Sequence, residues 1–160
     1  MRKINWAEPE IGEEEKEILD RIIDSTWIGG NGPLVKRFEK EFSRYVGARY
    51  AIAVNNGTSG LLCALLALKE KYSSFTVSVP TFTFLATVNT SYLIASGIEL
   101  LDADRETWNL SIDEVERSLS PIVVPVDVGG LPCDYRNLKR SGKIILEEAA
   151  EAVGAEYRGK

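Results

Sequence analysis

Histidine is missing altogether from this chain of 160 residues. Its absence removes the commonest general base and the commonest metal ligand, and with them Ser-His-Asp, Cys-His and histidine-zinc chemistry. Cysteine is nearly absent. Cys63 and Cys133 share neither a CxxC motif nor metal-ligand spacing, so both read as free thiols. No apolar run approaches membrane-spanning length, and the opening MRKINWAEPEIGEEE has no apolar signal core; both features point to the cytoplasm and away from a membrane. Positive charge is in deficit, with 19 Lys and Arg against 24 Asp and Glu and a net charge of −5. A broad nucleic-acid surface does not fit that balance. Neither GxGxxG nor GxxxxGK[ST] occurs, which weakens dinucleotide and P-loop readings. Repeats and low-complexity segments are also absent.

What is present reads as one domain of ordinary composition, 44% hydrophobic and 27% charged. Residues 1–47 predict two helices. GEEEKEILDRIIDST sets Ile18, Leu19, Ile22 and Ile23 on one face behind an acidic first turn. WIGGNGP breaks that helix, and Pro33 suits the start of a second, in which Leu34, Phe38 and Phe42 recur every four residues before Gly47.

From residue 48 to 160 the rhythm changes to an α/β core. Short apolar strands are predicted at Tyr50–Val54, Phe75–Val79, Ile98–Leu101, in IVVPV and in KIIL. Helical stretches alternate with them: LLCALLALKEKY, TFTFLATVNTSYLIAS, IDEVERSL behind a Ser111-x-x-Glu114 capping box, and DYRNLKRSG. The pattern predicts a three-layer α/β/α fold whose mostly parallel sheet is covered on both faces. In such sheets ligands sit beyond the carboxyl ends of the strands. Five segments fall there: Asn55–Gly60, Pro80–Phe84, Asp102–Asp104, Asp127–Gly130 and Glu147–Glu151.

Four of these segments carry candidate chemistry. In NNGTSG, the residues Thr58, Ser59 and Gly60 would offer free backbone N–H groups and two hydroxyls at a helix N-terminus, which suits a phosphate; an ordinary turn capped by Thr58 or Ser59 is the favoured local reading. Phe82 reads as core, whereas Phe84 is either core or a ring that stacks on a planar ligand. Glu147 and Glu148 close a strand, so they point to opposite faces, and one of them could hold a protonated heterocyclic nitrogen. Solvated acids at a strand end are the alternative. An Asp127/Glu148/Glu151 magnesium site would use suitable oxygens, but nothing in the sequence sets its geometry.

Taken in order, IGEEEKEIL, WIGGNGPLVKRFEKEFSRYVGARYAIAVNNGTSGL, VPTFTFLATVN, PIVVPVDVGGLPCD and ILEEAAEAVGAEYRGK resemble the N-terminal part of the DegT/DnrJ/StrS family, vitamin-B6-dependent aminotransferases of nucleotide-sugar metabolism. The resemblance implies an incomplete large domain of a fold type I, aspartate aminotransferase-like PLP-transferase, without the family's small C-terminal domain. It implies pyridoxal 5′-phosphate (PLP) as cofactor, with its phosphate at Gly57, Thr58 and Ser59 and its ring against Phe84. Glu148 stands where the family has an Asp paired with the pyridine nitrogen. Glu151 stands where a Gln or His lies near the phenolic oxygen. Nucleotide-sugar and amino-donor substrates and a homo-oligomer belong to the same implication.

The departures from the family share a sign. Glu148 and Glu151 are acids, and Asp127 replaces the usual His of a PVH motif. Acids beside an anionic cofactor should weaken its binding, by about 1–4 kcal/mol for each like-charge approach at roughly 4 Å. The family's Schiff-base lysine has no counterpart here, because Lys160 lies in YRGK; no catalytic residue is therefore assigned. In the implied fold two later strands separate the first strand from the fourth. Tyr50–Val54 would then lack neighbours, and either a rearranged smaller sheet or an oligomer is expected. Two functional readings follow: half of an aminotransferase site, completed by a complementing C-terminal chain, or a non-catalytic binding or interaction module. A truncated gene product would carry the same sequence.

Overall fold

The computed structural model describes residues 8–159, which fall into two compact units divided between Ala53 and Val54. In the first unit, α1 spans Glu13–Asp24 and α2 spans Pro33–Tyr45. Glu13, Glu14 and Glu15 fill the first turn of α1 and Arg21 its last, in keeping with the helix dipole. The Glu15 carboxylate accepts the Gly12 N–H at 2.6 Å. Between the helices Gly32 lies tight against Trp27: a Cβ there would lie 2.7 Å from Trp27 Cδ1, so the indole would have to shift. No residue of either helix is buried, although both are amphipathic, and Phe38 and Phe42 stack at 5.6 Å on the surface.

The strand expected over Tyr50–Val54 does not form. A strand exists only where a second backbone alternates hydrogen bonds with it. Residues 50–54 pair with no strand among the described residues; the Ala53 N–H goes instead to the Glu39 carboxylate at 2.9 Å. Tyr50 and Ile52 are left 79% and 82% exposed.

The second unit holds α3 (Gly57–Tyr72), β1 (Thr76–Pro80), α4 (Leu85–Ile94), β2 (Gly97–Leu101), α5 (Ile112–Arg117), β3 (Ile122–Val123), a 3-10 turn at Val128–Gly130, α6 (Tyr135–Arg140) and β4 (Ile144–Ile145). The four strands form one parallel sheet in the order β2-β1-β3-β4. A parallel bridge between Val126 and Glu148 carries the last pairing to the carboxyl edge. Helices cover both faces, as the alternating pattern predicts. On one face Leu61 and Leu65 of α3 pack with Val77, Val79, Ile122 and Val124, and residues of α4 lie against them. On the other, Val115 of α5 and Leu138 of α6 pack with Leu101, Val123, Cys133 and Tyr135.

Two local expectations are corrected. The helix expected from Thr81 starts only at Leu85, because the Thr81 N–H continues the sheet by bonding the Leu101 carbonyl at 2.9 Å. Ser111 does precede α5, but its side chain makes no capping hydrogen bond. Among the described residues no helix is long and apolar enough to cross a membrane.

Candidate cofactor site

In the second unit, α3 leads down into β1 and α4 leads down into β2, so both helices begin at the carboxyl edge of the parallel sheet. They pack against each other on the same face. The start of α3 and the loop into α4 are thereby brought to one edge, where the sequence places two of its candidate segments.

The cap of α3 differs from the expectation. Asn56 is the N-cap, and its side-chain oxygen accepts the Ser59 N–H at 2.9 Å while its carbonyl accepts the Gly60 N–H at 3.2 Å. Ser59 and Gly60 therefore offer no free N–H, and neither Thr58 nor Ser59 is the cap. The unpaired donors are one step earlier: the N–H groups of Gly57 and Thr58 have no partner among the described residues. These are the first two helical positions, where no intrahelical acceptor exists. The space a Cβ would take on Gly57 is open, so a ligand can approach the backbone there. Asn56 was legible as a strong N-cap residue three places before Ser59.

Phe84 sits at the N-cap of α4 and is 75% exposed, so of its two readings the core one fails. Phe82 is also no core residue. It lies half exposed with its ring edge-on to Trp108 at 5.0 Å, just past the last sheet hydrogen bond, at Thr81.

Glu147 and Glu148 diverge as period two requires. Glu148 continues the parity of Ile144 and Leu146, which pack on the α3–α4 face, and the Thr87 hydroxyl of α4 donates to its Oε2. Thr87 Oγ1 also lies 2.8 Å from Thr83 Oγ1. Glu147 continues the parity of Ile145 on the opposite face. Partial burial of its carboxyl, and then the Asp127 charge, hold Glu147 above the ordinary glutamate range.

Asp127 does not face the α3–α4 side at all. It is 3% exposed, and its Oδ1 accepts the Cys133 N–H at 2.8 Å and the Tyr135 hydroxyl at 2.9 Å. Burial, followed by the neighbouring Asp127 charge, pushes both the Cys133 thiol and the Tyr135 phenol far up in pKa. The Asp127 side chain is thus turned inward and hydrogen-bonded on the α5–α6 side. Glu151 is likewise engaged. Its Oε2 accepts the Gly129 N–H at 2.7 Å, tying the turn after β3 to the segment after β4. Gly129 holds φ 60°, a backbone state that favours glycine. Asp127, Glu148 and Glu151 thus make separate contacts, and among the described residues no three metal-ligating side chains come together.

A cavity of about 450 Å³ opens elsewhere, lined by Asp104, Glu106, Asp113, Asp134 and Tyr157 among others. It contains none of the candidate residues, and its acidic wall is unsuited to a phosphate.

Comparison with known proteins agrees with the architecture. A sequence profile of the DegT/DnrJ/EryC1/StrS aminotransferase family matches residues 9–160. GDP-perosamine synthase of Escherichia coli O157:H7 is 34% identical over the whole of this chain, which covers 46% of that enzyme. The crystal structure of 3-amino-5-hydroxybenzoic acid synthase superposes with a TM-score of 0.85 at 32% identity, covering 96% of this chain and 42% of that one. GDP-4-keto-6-deoxymannose-3-dehydratase, solved with a trapped PLP-glutamate geminal diamine, shares the fold at a TM-score of 0.88 and 20% identity, over 99% of this chain and 44% of its own. The chain spans less than half the length of each of these proteins.

Proposed function

From the premise that this chain belongs to the DegT/DnrJ/EryC1/StrS aminotransferase family, we propose that its carboxyl edge is the cofactor-binding half of a nucleotide-sugar aminotransferase site and takes PLP. One observation carries the reading: three separate parts of the chain bring unpaired N–H donors, an exposed aromatic ring and an oriented carboxylate to one edge of one sheet face. That donor set fits the group. The N–H groups of Gly57 and Thr58, with the hydroxyls of Thr58 and Ser59, hold the phosphate at the α3 N-terminus. Phe84 offers its ring face to the pyridine. Glu148 keeps the ring nitrogen protonated. Glu151, already bonded to Gly129, shapes the rim near the phenolic oxygen.

When bound, PLP supplies the electron sink for moving an amino group from an amino donor to a keto sugar. This chain contributes binding, orientation and charge. The family's covalent link to the cofactor would need a lysine. No residue here takes that role.

The test is a titration of the full chain with PLP, read by tryptophan fluorescence and by dialysis, with a borohydride-reduced control for surface-lysine adducts. Saturable binding should survive the control. It should weaken by about tenfold in Thr58→Ala and by up to about tenfold in Phe84→Ala, as the loss of a charge-assisted hydrogen bond or a ring contact entails. No saturable binding up to millimolar PLP would sink the reading for this chain and leave a scaffold without cofactor.

A further inference from the structure

We infer that Thr87 is a positioning residue whose hydroxyl, backed by Thr83, orients the Glu148 carboxylate toward the cofactor's ring nitrogen. The inference rests on the cofactor reading above and names a residue that reading does not need.

Thr87 is 0% exposed, yet its hydroxyl is not returned to its own helix. A threonine inside a helix ordinarily bonds a carbonyl three or four residues back. Thr90, one turn further along α4, does so, donating to the Ala86 carbonyl at 2.8 Å. Thr87 instead donates to Glu148, 61 positions away in sequence. A hydroxyl has a single proton. With that proton committed to Glu148, Thr87 Oγ1 must accept from Thr83 across their 2.8 Å contact. The Phe84 carbonyl, at 3.4 Å, is the weaker alternative for the Thr83 proton. The relay therefore has a direction, from Thr83 through Thr87 to Oε2 of Glu148.

Oε1 of Glu148 has no partner among the described residues. Glutamate has one more rotatable bond than aspartate, so a free side chain would sample more orientations and lose more entropy on being held. Anchoring Oε2 to a buried hydroxyl removes that freedom and aims Oε1. The anchor and the exposed Phe84 ring belong to the same entry into α4. One local structure thus carries both the exposed ring and the hydroxyl that anchors the carboxylate, and such anchoring is what preorganisation of a binding site requires.

The experiment compares two ligands on the full chain: pyridoxamine 5′-phosphate, and its 1-deaza analogue in which C–H replaces the ring nitrogen. Their affinity ratio isolates the contact between carboxylate and ring nitrogen, since phosphate and stacking contributions cancel. Wild type should prefer the nitrogen-bearing ligand by about tenfold or more, as a charge-assisted hydrogen bond entails. Thr87→Val, the isosteric loss of the hydroxyl, should bring the ratio near unity. Thr87→Ser should restore it, and Thr83→Val should lower it by a smaller factor while leaving the Thr87 donor in place. A purely structural role would weaken both ligands alike and leave the ratio unchanged. A folded Thr87→Val or Thr83→Val protein with the wild-type ratio overturns the inference. If wild type binds both ligands without preference, Glu148 is not the nitrogen's partner, and the inference falls while the phosphate cup stands. If wild type binds neither, the cofactor reading falls and takes the inference with it.

Discussion

The two faces of the sheet end differently at the same carboxyl edge. On the α5–α6 face the polar groups are closed upon one another. Asp127 takes the Tyr135 hydroxyl and the Cys133 N–H, Tyr135 packs edge-on to Tyr157 at 5.9 Å, and the Tyr157 hydroxyl donates to Asp134 at 2.6 Å. Asn109 bridges the Leu131 carbonyl and the Val128 N–H across the same region. On the α3–α4 face the relay from Thr83 to Glu148 stops at a carboxylate with one oxygen unpartnered, and the same edge holds an exposed aromatic residue and two unpaired N–H groups. A buried polar group without a partner costs about 1–3 kcal/mol, so a face that closes its network gains stability from it. Partners left open at an exposed rim cost little, because water meets them until a ligand does. One face serves stability and the other is available for binding.

Substitutions on the closed face should therefore change stability without changing ligand affinity. The largest effect is expected for Leu138→Ala, which empties a fully buried site and should cost about 2–5 kcal/mol in urea unfolding. Pyridoxamine 5′-phosphate affinity of the folded protein should stay at the wild-type value; a large loss there would break the division between faces. Asp127→Ala follows at roughly 1–3 kcal/mol, since it strands the Cys133 N–H and the Tyr135 hydroxyl. Asp127→Asn keeps the accepting oxygen and should lose less. Tyr135→Phe removes one donor and leaves Asp127 bonded to Cys133, for a cost of about 1 kcal/mol.

The smallest effect has the opposite sign. The folded protein holds Glu147 above its ordinary pKa, so the folded state takes up that proton more readily than the unfolded chain. The charged form is the less stable one in the fold, and stability associated with this group rises as pH falls through the raised value. Glu147→Gln should thus stabilise slightly at neutral pH. The gain should fade once the pH drops below the ordinary glutamate range, as paired urea titrations of the variant and wild type would read. A gain that persists unchanged in acid would mean the substitution acts through packing.

Much of the site was legible because period two is a local rule. It separates Glu147 from Glu148, and counting on from Val123 also assigns Asp127 to the α5–α6 face, a signal passed over when Asp127 was read as facing the cofactor. Asn56 was legible as a cap by residue type. Thr87 was not, since nothing near it in sequence distinguishes it from Thr90, whose hydroxyl bonds its own helix. The amphipathic patterns of α1 and α2 predicted helices correctly but carried no information on burial, and neither helix contains a buried residue.

The sequence by itself determined the helices, the alternation of faces and the family. Each depends on residue type and on spacings of a few positions. Tertiary structure alone decided that residues 50–54 form no strand, that the Asp127 carboxylate closes on Tyr135, and that the Thr87 hydroxyl leaves its helix for Glu148. Strand pairing and side-chain hydrogen bonds depend on which distant groups meet, and a local pattern cannot specify a partner it does not contain.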